Sequence, residues 1–323
     1  MKKVFNLIVS IVISCIMLYV VFRKINFVEF VNYVSSVKLE YLLLNLILGV
    51  ILLLLRSYRW KTMLKEYKNF RLKNFFESTV LGLFFNTILP FRMGDLLQGY
   101  FLAKKTMLPK SLTFSTVLLE RFVDLFPPII FIIIGSFFVV LPKQISLGLS
   151  VIVLLILVSF LVLILKYKAF LLSKLLRYSK KINFFKKLVN VLEKFFSAIE
   201  NIGNINVLYK IILLTFILWT GYSIGMLLVC SSLEIKLPSI WAGFLIQAVT
   251  SLSVAIPSSP GYIGSWEFMG TLSLLIFKVN KTKAVSFAVI SHIIGIIPIV
   301  GLGLIFVLKE ISTLKSFKEE KEL

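Results

Sequence analysis

The sequence predicts an all-α polytopic membrane protein, on three observations. Apolar runs of about 20 residues, the length a helix needs to cross a hydrocarbon core, recur along the chain. Of its 323 residues 59% are hydrophobic, 14% aromatic and only 16% charged, a composition that belongs to membrane-spanning chains. Two of the apolar stretches are interrupted near their centres by Pro, Gly and charged residues, which lipid does not tolerate. The expected architecture is about six full spans plus two re-entrant helical hairpins, eight apolar segments in all, related as an inverted repeat.

Taken in order, residues 4–22 follow Lys2 and Lys3 and read as a first span, since the run is long for a signal peptide and ends without a small-x-small cleavage site. Residues 39–55 form the second span. Seven Lys and Arg from Arg56 to Lys73 follow it, against Arg23, Lys24 and Lys38 in the preceding loop. That asymmetry places the N-terminus and the second loop in the cytoplasm. Arg56, Arg59 and Trp60 mix charge and aromatic rings where a span meets water and read as interfacial lipid contacts.

Residues 74–103 are the first interrupted stretch, broken at Pro90 and Gly94. Each half is only about 20 Å long at 1.5 Å per residue, too short for a crossing of about 30 Å. Basic residues flank both ends, so the hairpin is expected to enter and leave on the cytoplasmic side. Residues 112–141 are a long span carrying Glu120, Arg121 and Asp124, with Pro127-Pro128 expected to kink it near the middle. Residues 145–165 return to the cytoplasm. The tract from 166 to 206 interleaves Lys and Arg with Phe and Leu and reads as an amphipathic connector on the inner leaflet. Residues 207–233 span again, 239–277 are the second interrupted stretch, and 284–308 close the membrane part before a cytoplasmic tail, 309–323. The first half is thus 1–165 and the second 207–308, within one integral membrane domain.

The two interruptions match each other. Leu89-Pro90 aligns with Ile256-Pro257, Gly94 with Gly264 and Asp95 with Glu267, about half a chain apart. An odd number of spans lies between them, so the copies should have opposite orientation. Paired interruptions in corresponding positions of two halves are the strongest sequence pointer to a transporter's central site.

The charged residues inside these stretches supply the candidate site. Each charge at mid-membrane costs about 2.5 to 3.5 kcal/mol on insertion scales, so Asp95, Glu120, Asp124 and Glu267 should face Arg92, Arg121 or one another. Glu120, Arg121 and Asp124 share one helix side by their spacing. The loops before Asp95 and Glu267 leave N–H groups at half-helix starts, where anions bind. Arg92 adds a planar fork suited to a phosphate diester. Asn86, Pro90, Gly94, Ser259, Pro260, Gly261 and Gly264 complete the expected substrate-binding set. The acids are open to two roles, meeting a cationic headgroup amine or carrying protons.

Other chemistry has little footing. The formal charge of +21 sits in loops between spans, which points to anionic lipid headgroups and away from nucleic acid. Cys15 and Cys230, the two cysteines, fall in predicted spans and suggest neither a disulfide framework nor a metal site. His292, the only histidine, reads as a packing residue before a proton relay. No cofactor, metal or catalytic residue is expected, and no nucleotide-binding motif is present.

At these residues the chain resembles the flippase-like transmembrane region of the lysylphosphatidylglycerol synthases: Asn86…Leu89-Pro90-x-Arg92-x-Gly94-Asp95, Glu120-Arg121-x-x-Asp124 and Pro260-Gly261-x-x-Gly264-x-x-Glu267, with Arg59-Trp60 upstream. The resemblance runs from about residue 5 to 308. It implies a polytopic inner-membrane protein related to modules that move aminoacylated phospholipids between leaflets, and the expected function is transport of a phospholipid, aminoacylated or not, or of another lipid-linked anion. Gln98 stands where the family often has Arg, and Tyr262 where it commonly has a second Gly. The synthases' soluble transferase domain would follow the membrane region, and its activity is not expected of a chain ending at Leu323. A lipid-synthesising enzyme or a second copy of the chain is the protein partner the resemblance suggests. A membrane-embedded enzyme acting on lipid-linked substrates and a non-catalytic membrane partner stay open as alternatives.

Overall fold

The computed structural model describes residues 2–138 apart from 66, four isolated positions between 155 and 196, and residues 204–322. The predicted span 145–165 and nearly all of the predicted connector 166–206 lie outside the described residues. Every regular element described is helical: α1 Lys2–Phe22, α2 Phe27–Ser35, α3 Leu39–Met63, α4 Leu72–Ile88, α5 Met93–Thr106, α6 Lys110–Val123, α7 Phe126–Phe138, α8 Ile205–Ser232, α9 Trp241–Ser251, α10 Ser265–Leu275 and α11 Lys281–Glu322. Among them Leu39–Met63, Ile205–Ser232 and Lys281–Ile311 are long and apolar enough to cross a membrane. The pair Ile8–Phe22 and Phe27–Ser35, bent by 92°, brings the number to as many as four. The protein is a multi-pass membrane protein.

Local chemistry sets the helix ends. Asn26 caps α2 by accepting from the Val28 and Glu29 N–H groups at 3.1 and 3.2 Å, and Asn204 caps α8 by accepting from Asn206 at 2.9 Å. Both satisfy N–H groups that a helix start leaves unpaired. The predicted kink in 112–141 is a full break. α6 stops at Val123, Asp124 caps it, and Pro127 and Pro128 occupy the first turn of a new helix. Their missing N–H groups would have no helical partner there in any case.

α3 and α8 form the central antiparallel pair: Asn45 donates to the Gly225 carbonyl at 3.0 Å, and Arg59 reaches Thr215 at 2.9 Å. Gly221 lets Leu52 pack directly on the α8 backbone, where a Cβ would collide. One apolar cluster, around Trp60, Phe75, Leu102 and Ile211, lies at one end of this pair. A second, around Met226, Val229, Leu274 and Phe287, lies at the other. Polar residues are gathered between the two.

α4 and α5 run antiparallel around the break at Pro90. Glu77 meets Lys105, Gly82 lies against Gln98, and Asn86 meets Asp95. Gly94 permits the closest approach, because a Cβ there would run into the Gly82 carbonyl and Asn86. α9 and α10 pack together around the second break, and α10 also packs on α11, where Gly270 faces Ala288. Glu77 is buried and paired with both Lys105 and Lys309, tying α4 and α5 to α11. At the opposite end of α3 and α8, exposed Lys38 meets Glu234 at 2.8 Å.

Candidate functional site

At the first break the chain turns through Pro90, with Phe91 and Arg92 both in the left-handed region at φ 57° and 54°. Non-glycine residues seldom adopt that conformation, and it clusters where surrounding structure enforces it. The turn starts α5 with Asp95 in its first turn. Asp95 accepts 2.7 and 3.0 Å hydrogen bonds from Nη2 and Nε of Arg121, a two-pronged geometry that only a guanidinium offers. Asn86 donates to the same carboxylate at 2.8 Å. Arg92 stands 3.6 Å away with its side chain 38% exposed.

Glu120 and Asp124 turn from Arg121 toward α3. Arg59, fully buried, donates to both oxygens of Asp124 at 2.6 and 3.0 Å, and to Glu120 at 3.3 Å. Gln98 donates to the other Glu120 oxygen at 3.0 Å, and the Trp219 indole donates to Asp124 at 3.2 Å. Helical spacing predicts Glu120, Arg121 and Asp124 on one side of one helix. The helix instead ends at Val123, and the three serve two separate ion-pair systems.

Arg56, Arg59 and Trp60 need a correction. Expected at the lipid interface, they are 7%, 0% and 0% exposed. α3 continues to Met63 and packs this turn between α8, α4 and α6, so it faces protein. Trp60 donates to Thr116 at 2.9 Å. The i, i+3, i+4 spacing of the three residues already signalled a common buried face.

The second break has different chemistry. Gly261 and Gly264 take φ of +70° and +89°, which glycine adopts without a Cβ penalty. A Cβ on Gly264 would also lie 2.6 Å from the Ser14 carbonyl of α1. The Ser259 N–H donates to the Ser14 hydroxyl at 2.7 Å, fastening the loop to α1. Glu267 accepts from the Gly264 N–H at 2.6 Å, the side-chain half of a capping box, and its other oxygen lies 2.5 Å from Nδ1 of His292. His292 Nε2 lies 2.8 Å from the Gly261 carbonyl. A carbonyl only accepts, so Nε2 carries a hydrogen, and one further proton must lie between Nδ1 and the carboxyl. His292, read from sequence as a packing residue, thus joins α11 to both sides of the second break.

The two breaks meet: a Cβ on Gly261 would stand 3.2 Å from the Thr87 carbonyl. Between them lies a cavity of about 950 Å³. Of the expected substrate-binding residues, Asn86, Arg92, Arg121, Asp124 and Gly261 line it. Asp95, Glu120, Gly264 and Glu267 sit behind the wall and hold its residues, and Pro90, Gly94, Ser259 and Pro260 shape the two turns. Arg56, Trp219, Gln247 and His292 also line the cavity, as do many apolar side chains of α3, α6, α8 and α11. An arginine-bearing wall facing an apolar one suits a molecule with an anionic head and hydrocarbon attached.

No solved structure matches the chain. It is 30% identical over 244 residues to the UPF0104 membrane protein MJ1078 of Methanocaldococcus jannaschii, covering 74% of this chain and 100% of that protein. A second protein of that organism, UPF0104 membrane protein MJ1595, is 31% identical over 121 residues, covering 36% of this chain and 35% of its own length. The family model for the lysylphosphatidylglycerol synthase TM region matches residues 7–303, nearly the whole span bearing the two breaks and the cavity, and the chain belongs to that family.

Proposed function

We propose that the protein moves a phospholipid, anionic or aminoacylated, between the leaflets of the cell membrane. The single observation that carries this reading is the cavity between the two breaks, with Arg56, Arg92 and Arg121 on its wall beside apolar side chains. A headgroup phosphate would meet the guanidinium forks while the acyl chains stay against the apolar wall and lipid. In this reading the α4–α5 and α9–α10 pairs are re-entrant hairpins entering from opposite faces, the two halves are inverted copies, and both termini are cytoplasmic. Rocking of one half against the other would expose the cavity to each leaflet in turn. A membrane-embedded enzyme has less support, since Glu120, Asp124 and Glu267 are all engaged by donors and none stands free as an acid or base.

The test is leaflet exchange of headgroup-labelled phospholipids in proteoliposomes. The intact protein should exchange label, and Arg92→Ala, which removes a half-exposed cavity arginine without stripping Asp95 of Arg121, should slow exchange at least about tenfold, the worth of one charge-assisted hydrogen bond. Absence of exchange across anionic, zwitterionic and aminoacylated lipids would sink the reading.

A further inference from the structure

We propose that the cavity selects a head bearing one unbalanced negative charge, a phosphate monoanion bound by Arg56, and disfavours a head that adds an amine. The inference rests on the cavity being the headgroup site. Its basis is the charge count and the hydrogen-bond accounting around the wall.

Among the described residues at and behind the wall, Arg56, Arg59, Arg92 and Arg121 face Asp95, Glu120 and Asp124. Four cations against three carboxylates leave one positive charge. The Glu267–His292 pair adds none. With Nε2 protonated toward Gly261 and one proton shared with the carboxyl, it is either imidazolium with carboxylate or imidazole with carboxylic acid, and both sum to zero.

The charges are unevenly shared: Arg59 alone faces two carboxylates, Arg92 and Arg121 share one, and Arg56 hydrogen-bonds to none. Arg56 makes no ion pair or hydrogen bond among the described residues. It is 7% exposed, its Nε and Nη2 are covered without a partner, and it lines the cavity. A buried guanidinium that feels Glu120 and Asp124 only through space, with no hydrogen bond, gains from an anion that joins it directly.

The acids present the opposite case. Asp95 Oδ1 accepts from Asn86 and Arg121, and Oδ2 from Arg121. Glu120 Oε1 accepts from Arg59 and Oε2 from Gln98. Asp124 Oδ1 accepts from Arg59 and Trp219, and Oδ2 from Arg59. Glu267 is held by Gly264 and His292. Every carboxyl oxygen already accepts a hydrogen bond and each acid already faces a guanidinium or the His292 ring, so an incoming ammonium would share carboxylates whose charge is already answered, whereas an incoming phosphate oxygen meets a guanidinium with no hydrogen bond to give up. Sequence left the acids open to an amine, and the hydrogen-bond pattern weighs against that role.

The deciding experiment is equilibrium binding to the full-length protein in neutral detergent, with short-chain phosphatidylglycerol, phosphatidylethanolamine, lysyl-phosphatidylglycerol and inorganic phosphate as separate titrants. Phosphatidylglycerol should bind at least about tenfold more tightly than either amine-bearing lipid, as expected when one charge-assisted hydrogen bond forms and none is broken. Arg56→Gln should weaken phosphatidylglycerol by a similar factor and abolish the discrimination, and Arg56→Lys should restore part of it. Equal or tighter binding of the lysylated lipid, or discrimination that survives Arg56→Gln, overturns the proposal. Inorganic phosphate binding as tightly as the diester would uphold the charge selection and identify a free anion as the occupant, which counts against lipid transport. Selective binding without leaflet exchange would remove the transport reading alone.

Discussion

The first and second breaks carry the same order of signals, Pro, then Gly, then an acid one to three residues on, yet they put the acid to different uses. At the first, Asp95 is held by Arg121 and Asn86, and the surrounding side chains are arginines and carboxylates from α3, α5 and α6. At the second, Glu267 caps its own helix through Gly264 and bonds His292, and the neighbours are serines, glycines and a backbone carbonyl. One break is a fixed-charge structure and the other a hydrogen-bonded joint with a single shared proton. Matching sequence signals in two halves therefore need not mean matching surroundings: the first break is set among arginines and carboxylates, and the second ties a turn to α11 through His292.

The largest test of this contrast is Arg59→Gln. It leaves Glu120 and Asp124 buried with too few donors, and breaking a buried ion pair from one side costs about 3–5 kcal/mol. A large fall in unfolding temperature in detergent is expected, and an unchanged one would mean that the first region is not held by charge. At the second break two substitutions should separate. His292→Ala strips partners from Glu267 and the Gly261 carbonyl at once, an expected loss of about 2–3 kcal/mol. Glu267→Gln keeps both bonds, its carbonyl accepting from Gly264 and its amide donating to neutral Nδ1, so the change should stay below about 1 kcal/mol. If Glu267→Gln proved the more damaging of the two by thermal unfolding, the joint would depend on net charge after all, and the contrast would collapse.

The smallest effect belongs outside both regions. The Lys38 hydrogen bond and charge hold the exposed Glu234 carboxyl below its ordinary value. That contribution is present above the ordinary carboxylate range and fades as pH falls through the depressed value. Because the pair is fully exposed, solvent screens it, and Glu234→Gln should leave the unfolding temperature unchanged at neutral pH. A measurable drop would show that charge matters at this end of α3 and α8 as well as at the first break.

Both breaks were legible in the sequence because breakers act locally: Pro90 fixes its own φ, and the glycines at 261 and 264 reach positive φ that other residues avoid, wherever the chain lies. Composition alone was enough for the helical, membrane-spanning character. The partners of the charged residues were not legible. Helical spacing grouped Glu120, Arg121 and Asp124 on one helix, but it carried no information about which neighbouring helix would present Arg59 or Asp95. Arg56, Arg59 and Trp60 were misplaced at the interface because the apolar run ends at Leu55 while the helix continues for two more turns inside the protein. Lone His292 was discounted because its partners, Glu267 and Gly261, lie on another element.

Hydropathy and local backbone preference thus set the fold class, the positions of the two breaks and the residues rich enough in chemistry to build a site, and all three can be read along the chain without neighbours. That Arg56 is the cavity arginine without an ion-pair or hydrogen-bond partner among the described residues, and that each carboxyl oxygen around it already accepts a donor, emerged from the packing of the helices. Charge balance in a low-dielectric interior is a property of which side chains meet, and those meetings join residues far apart in the chain.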